Sequence, residues 1–107
     1  MSAAPVCLTL IAARSLRDDL FDFLSEQSDL VSGFTASEAA GHGVDVHLET
    51  TAERVKGHAD EILVRLVLPQ DSASRLLERL RTSFAGTRLV YWMMPVIAYG
   101  RLDERKR

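Results

Sequence analysis

Three groups of residues carry the chemistry that this chain of 107 residues can offer. The first is Gly41-His42-Gly43. Such a run can turn successive backbone N–H groups towards one point and cradle an anion. It can equally be a bulge or turn that ends a strand. It is not a phosphate loop of the Gly-x-x-x-x-Gly-Lys-Ser/Thr type, which occurs nowhere in the chain. The second group is Arg88 and Arg101. A guanidinium offers paired planar donors, so two that converge suit a phosphate or carboxylate, whereas each alone reads as a solvated charge at a strand end. The third is His42, His47 and His58, all in or beside one loop region. Imidazole nitrogens hold zinc, copper or nickel, and Met93 and Met94 add soft sulfurs. No His-x₃-His or Cys-x₂-Cys spacing backs a metal site. His42 and His47 lie five apart on an extended stretch and so point to opposite faces. A divalent metal would then need three copies of one histidine around a symmetry axis, and His42 is the best single candidate.

The remaining reactive side chains read more plainly. Cys7 opens an apolar run and behaves as a small core residue. Asp18, Asp19 and Asp22 share one helix and form a solvated face. Tyr91, Trp92 and Tyr99 fill a core or a subunit interface rather than stack on a base. There is no Gly-x-Ser-x-Gly, no His-Glu-x-x-His and no dinucleotide fingerprint. The expectation is a binding protein, not an enzyme.

The elements that must position these groups follow from the hydrophobic pattern. Val6–Ala13 is short, apolar and partly β-branched, as a buried strand is. Ser15 reads as the N-cap of a helix over Leu16–Gln27, whose Leu16, Leu20, Phe23 and Leu24 make one stripe. Val31–Ala40 reads as a second strand, broken by Gly41-His42-Gly43. Val44, Val46 and Leu48 alternate with polar residues, and Thr51–Lys56 can make a helical turn stopped by Gly57. Asp60–Leu68 is the clearest strand, closed by Pro69. Asp71 or Ser72 caps a helix with Leu76, Leu77, Leu80 and Phe84 on its buried side, and Gly86 ends that unit. Arg88–Tyr99 is the last strand region, which Pro95 must bend or place at an edge.

Strand, helix, strand, strand, helix, strand is the split βαβ order. The expected fold class is therefore α+β: a ferredoxin-like βαββαβ sandwich with a four-stranded antiparallel sheet and two helices on one face. The third strand carries apolar residues at both parities, Leu63 and Val67 as well as Ile62, Val64, Leu66 and Leu68. A strand greasy on both sides in a sheet covered on one side implies that copies pack their bare faces together. Tyr91 and Trp92 point to opposite faces, so one of them belongs to that contact.

The length fits a single domain over residues 1–107, with a core of about 6–102 and a charged tail at 103–107. A net charge of −2 gives no general attraction to nucleic acid or to an anionic membrane. One cysteine cannot make an internal disulfide, and the short run Val6–Ala13 is neither a signal peptide nor a membrane span. The expected location is the cytoplasm.

Taken in order, Cys7-Leu8-Thr9-Leu10-Ile11, Val31-Ser32-Gly33-Phe34-Thr35, Gly41-His42-Gly43, Tyr91-Trp92-Met93-Met94-Pro95-Val96 and Tyr99-Gly100-Arg101-Leu102 resemble a small uncharacterised bacterial family. That family is grouped with the PII nitrogen regulators and the CutA-type divalent-ion tolerance proteins. The resemblance implies a homotrimer with three clefts between subunits, an effector that is an adenine nucleotide or another small anion, and a loop over 44–59 that contacts a partner such as a membrane transporter or efflux component. Gly41, His42 and Gly43 match the loop base, Gly86, Thr87 and Arg88 match the second loop, and Arg101 matches an arginine at the phosphates. The tyrosine signature of the true PII loop is absent, and Tyr99 stands where a further arginine is expected. The alternative on the CutA side is a metal-binding accessory or sensor protein in heavy-metal tolerance, holding its ion on His42, His47 and His58.

Overall fold

In a computed structural model, described over residues 4–103, the chain forms β1 (Pro5–Ala13), α1 (Arg17–Glu26), β2 (Thr35–Gly41), α2 (Thr51–Lys56), β3 (Ala59–Pro69), α3 (Gln70–Ser83) and β4 (Val90–Pro95). The strands make one sheet in the order β2-β3-β1-β4, and every neighbouring pair is antiparallel. This is the ferredoxin-like arrangement, with the short α2 added inside the β2–β3 connection. Residues 104–107 of the charged tail lie outside the described residues, as do the first three.

One parity of the sheet carries the core. Val6, Leu8, Leu10 and Ala12 of β1 and Ile62, Val64, Leu66 and Leu68 of β3 are buried with Leu20 and Leu24 of α1 and Ala73, Leu76, Leu77 and Leu80 of α3. The helices therefore share a face, and Phe23 meets Phe84 edge-on at 5.4 Å to tie their ends together. Among the described residues the opposite parity has no helix over it. Paired residues share a face, and register puts Cys7 beside Val67 and Met94, Thr9 beside Arg65 and Trp92, and Ile11 beside Leu63 and Val90. On this bare face Val90, Trp92 and Met94 keep 51%, 40% and 55% of their surface exposed. Trp92 is thus the aromatic on the bare side. Tyr91 pairs with Leu10 on the helix side, where its hydroxyl accepts a hydrogen bond from Arg81 Nη2 at 3.1 Å.

Several local expectations are corrected. Ser15 does not cap α1. It sits in a single 3₁₀ turn, Arg14–Leu16, and its hydroxyl donates to Glu49 Oε1 at 3.1 Å instead. The second strand begins at Thr35, because Val31 is drawn into the turn leaving α1, its N–H donating to Gln27 O at 2.8 Å. Neither Asp71 nor Ser72 caps α3. The helix starts directly after Pro69, whose fixed φ of −60° suits the cap position, and the Asp71 carboxylate accepts from Ser72 N. The last strand ends at Pro95, and Ile97, Tyr99 and Leu102 beyond it are largely or wholly exposed.

Candidate effector cleft

Both long connections emerge at the same end of the sheet. β2 ends at Gly41, β3 begins at Ala59, β1 ends at Ala13 and β4 begins at Val90. The β2–β3 loop and the loop after α3 therefore face each other across the tips of β1 and β3. They enclose a cleft of about 170 Å³ lined by Ile11, Ala13, Asp45, His47, Glu49, Glu61, Thr87, Arg88 and Val90.

Arg88 holds an unusual conformation. Among the described residues it is the only non-glycine with positive φ, at 63°. That left-handed geometry costs an L-residue roughly 1–2 kcal/mol. Strain of this kind clusters at functional sites. The turn before it is built by Gly86, at φ 78°, and by Thr87, whose hydroxyl donates to Phe84 O at 2.7 Å.

The other wall is held by Glu53, a buried carboxylate outside the expected set of site residues. Its Oε1 accepts from Glu49 N at 2.6 Å and Thr50 N at 3.0 Å, and its Oε2 accepts from Asp60 N at 2.5 Å. These bonds to the charged form, led by the one from Asp60, lower its pKa from the ordinary value of 4.5. Thr50 Oγ1 accepts from Glu53 N at 3.0 Å, which completes a capping box on α2. One side chain thus stitches the loop to the first residues of β3. Thr50-x-x-Glu53 is the sequence signal that would have found it. Across the loop base the Glu61 carboxylate lies over Gly41, so close that a Cβ on residue 41 would collide with it. Burial, with the charge of Glu53 adding to it, raises the pKa of Glu61.

The expected site residues divide into three places. Thr87, Arg88 and His47 line the cleft, while Gly41 does not: it is the last residue of β2, paired with Ala59 and lying under the Glu61 carboxylate. Gly43, at φ 124°, makes a turn closed by Val46 N donating to its carbonyl. His42 and His58 meet each other at the loop stem, with ring centroids 5.3 Å apart, and His47 is not part of that contact. Arg101 is elsewhere: it is exposed, paired with Asp103 at 3.3 Å, and two residues beyond Tyr99. Tyr99 packs near Cys7, Phe34 and Val67, at the opposite end of the sheet from Arg88. Within one chain the two arginines do not meet.

Residues 2–103 match a family described as a protein of unknown function, DUF3240. The chain belongs to that family. No curated protein matches this DUF3240 chain. Its fold is that of a DUF3240 family protein from Shewanella baltica, with a TM-score of 0.74 at 24% identity over 95% of this chain and 99% of that one. It is also that of CPII from Thiomonas intermedia, a nitrogen regulatory PII-like protein bound to ADP, AMP and bicarbonate, with a TM-score of 0.68 at 19% identity over 94% and 98%. A candidate PII-like signalling protein of Thermus thermophilus follows at 0.61 and 19%, over 90% and 91%. The PII-like fold read from the sequence is therefore the fold of the chain. Among the described residues no helix is long and apolar enough to cross a membrane.

Proposed function

We propose that this DUF3240 protein is a non-catalytic regulatory module of the PII-like kind. It assembles as a homotrimer, takes an adenine nucleotide or a related small anion in a cleft between subunits, and acts on a protein partner through residues 44–59. The observation that carries this reading is the cleft itself, where two loops converge and Arg88 is held in a strained backbone beside Thr87. The cleft is divided by charge. Asp45, Glu49 and Glu61 lie towards the β2–β3 loop and Arg88 towards the other. A ligand with hydroxyl or amino donors at one end and negative charge at the other suits such a wall, and a nucleotide has both. Crystals of CPII with ADP, AMP and bicarbonate support that choice.

Among the described residues one chain supplies one arginine to the cleft, so the second, Arg101, comes from a neighbouring subunit. The bare sheet face and the exposed Ile97, Tyr99 and Leu102 support an assembly in which C-terminal segments reach adjacent copies. Regulation then works by population shift: the ligand favours whichever loop arrangement it contacts better. The part free to change is 43–48, where Val44 is wholly exposed, because α2 is fixed by Glu53. A transport protein is the partner class that the family resemblance implies. Calorimetry with AMP, ADP, ATP and bicarbonate tests the reading. Saturable binding is expected, weakened about tenfold or more in Arg101→Ala, since a charged bidentate contact is lost. Heat-silent titrations throughout the panel would remove the nucleotide, and unchanged affinity in the variant would remove Arg101.

A further inference from the structure

We infer that His42 and His58 form a two-point clamp for a divalent transition-metal ion, zinc being the type case, across the stem of the β2–β3 loop. This goes beyond the nucleotide reading and stands on the stem alone. Gly41 and Ala59 are the last paired residues of β2 and β3, so the next residue outward on β2 and the preceding one on β3 face each other. Those residues are the two histidines, and their rings lie 5.3 Å apart, centroid to centroid, at 51°. With Zn–N near 2.0–2.1 Å, each imidazole centroid stands roughly 3.2 Å from the ion, and two rings at the tetrahedral angle have centroids roughly 5.2 Å apart. The observed spacing, although ordinary ring packing also falls in this range, leaves room for one ion shared between the two imidazoles.

The outer contacts are also of the right kind. A metal-bound histidine usually gives its second ring N–H to a carbonyl or carboxylate, which fixes the ring. His58 Nδ1 lies 3.5 Å from Ala59 O and 3.9 Å from Asp60 Oδ1, leaving Nε2 as the donor to metal. Asp60 is in turn held by Lys56 Nζ at 2.9 and 3.1 Å. No group of three or more His, Cys, Asp or Glu side chains that could hold an ion is assembled among the described residues. The clamp is thus two protein ligands completed by water, an open site of modest affinity. Its consequence is mechanical: an ion bridging His42 and His58 closes the loop between them.

The test is equilibrium dialysis of the full chain against zinc alone, at about 1–100 µM. One zinc per chain is expected. Its affinity should fall about tenfold or more in His42→Ala and in His58→Ala and stay unchanged in His47→Ala. Both rings sit outside the core, so circular dichroism should show the fold intact in each variant. X-ray absorption of the zinc-loaded protein should show two imidazoles. Hydrogen exchange in 43–57 should slow with zinc and recover with chelator. No zinc retained by the unaltered chain, equal retention in His42→Ala and His58→Ala, or loss on replacing His47 would each overturn the clamp. None of these outcomes bears on nucleotide binding, which calorimetry without zinc reads separately.

Discussion

Replacing Trp92 by threonine probes the bare sheet face without touching the core. Threonine suits a strand, and Trp92 lies on β4 at the sheet edge, where it packs against Thr9. The indole keeps 40% of its surface exposed in one chain. An aromatic side chain has up to roughly 250 Å² to bury, so about 100 Å² of Trp92 is left for a partner. At about 25 cal/mol per Å² that contact contributes about 2.5 kcal/mol per copy, of which threonine recovers little. A loss of about 2 kcal/mol weakens each contact roughly 30-fold. Sedimentation velocity from about 1 to about 100 µM covers that change. The unaltered chain should stay associated across the range, while Trp92→Thr should dissociate at the dilute end with its circular dichroism preserved. A monomeric parent, or a variant that associates as tightly, would refute the claim that copies cover this face. The shared cleft would go with it.

Arg88→Gly should raise stability to urea by about 0.5–1 kcal/mol, because the left-handed strain it relieves exceeds the added chain entropy, yet lower nucleotide affinity in calorimetry; a destabilised variant would show that the strain has been misjudged. Glu53→Gln replaces one of two oxygens that accept backbone N–H groups by an amide NH2 that can only donate, so hydrogen exchange across 49–60 should accelerate at neutral pH. The folded pKa of Glu53 is lowered, so its contribution is present above the ordinary 4.5 and is lost as pH falls through the lowered value. The same loop in the unaltered chain should therefore open on acidification, and pH-independent protection would count against the clamp by Glu53. Glu61 has the opposite sign: its raised pKa means stability is lost as pH rises through that value, so Glu61→Gln should stabilise the fold at neutral pH and not in acid. Leu76→Ala, at a wholly buried position, should cost about 2–5 kcal/mol in urea unfolding.

The apolar pattern alone marks β1, β3 and the two long helices, whereas β2, with its small residues, carries no such pattern and starts later than expected. Leu76, Leu77 and Leu80 cannot all be hidden unless α3 lies on the sheet, and Leu63 with Val67 betrays a second apolar face before any register is known. Gly57 stops α2 as its position suggests, at φ 84°. Strand and helix ends were less legible, because they depend on long-range partners. Ser15 has a capping residue's chemistry, but Glu49, thirty-four positions away, takes its hydroxyl. Val31 looks β-forming, but it is buried in the core and its N–H bonds to Gln27 O in a turn.

The site divides in the same way. Residue types named the participants, since arginine, histidine and carboxylate side chains can meet a nucleotide or an ion at these loops. Which of them meet is a matter of register. The β2–β3 pairing puts His42 against His58 and leaves His47 in the cleft, although His42 is nearer to His47 in the chain. The antiparallel order sends β4 away from the loops, so Arg101 follows at the opposite end from Arg88 and the two do not meet within one chain. Sequence sets what each side chain can do, because that follows from its own atoms. Tertiary structure decides with whom, because distance in space is fixed by strand pairing and not by distance along the chain.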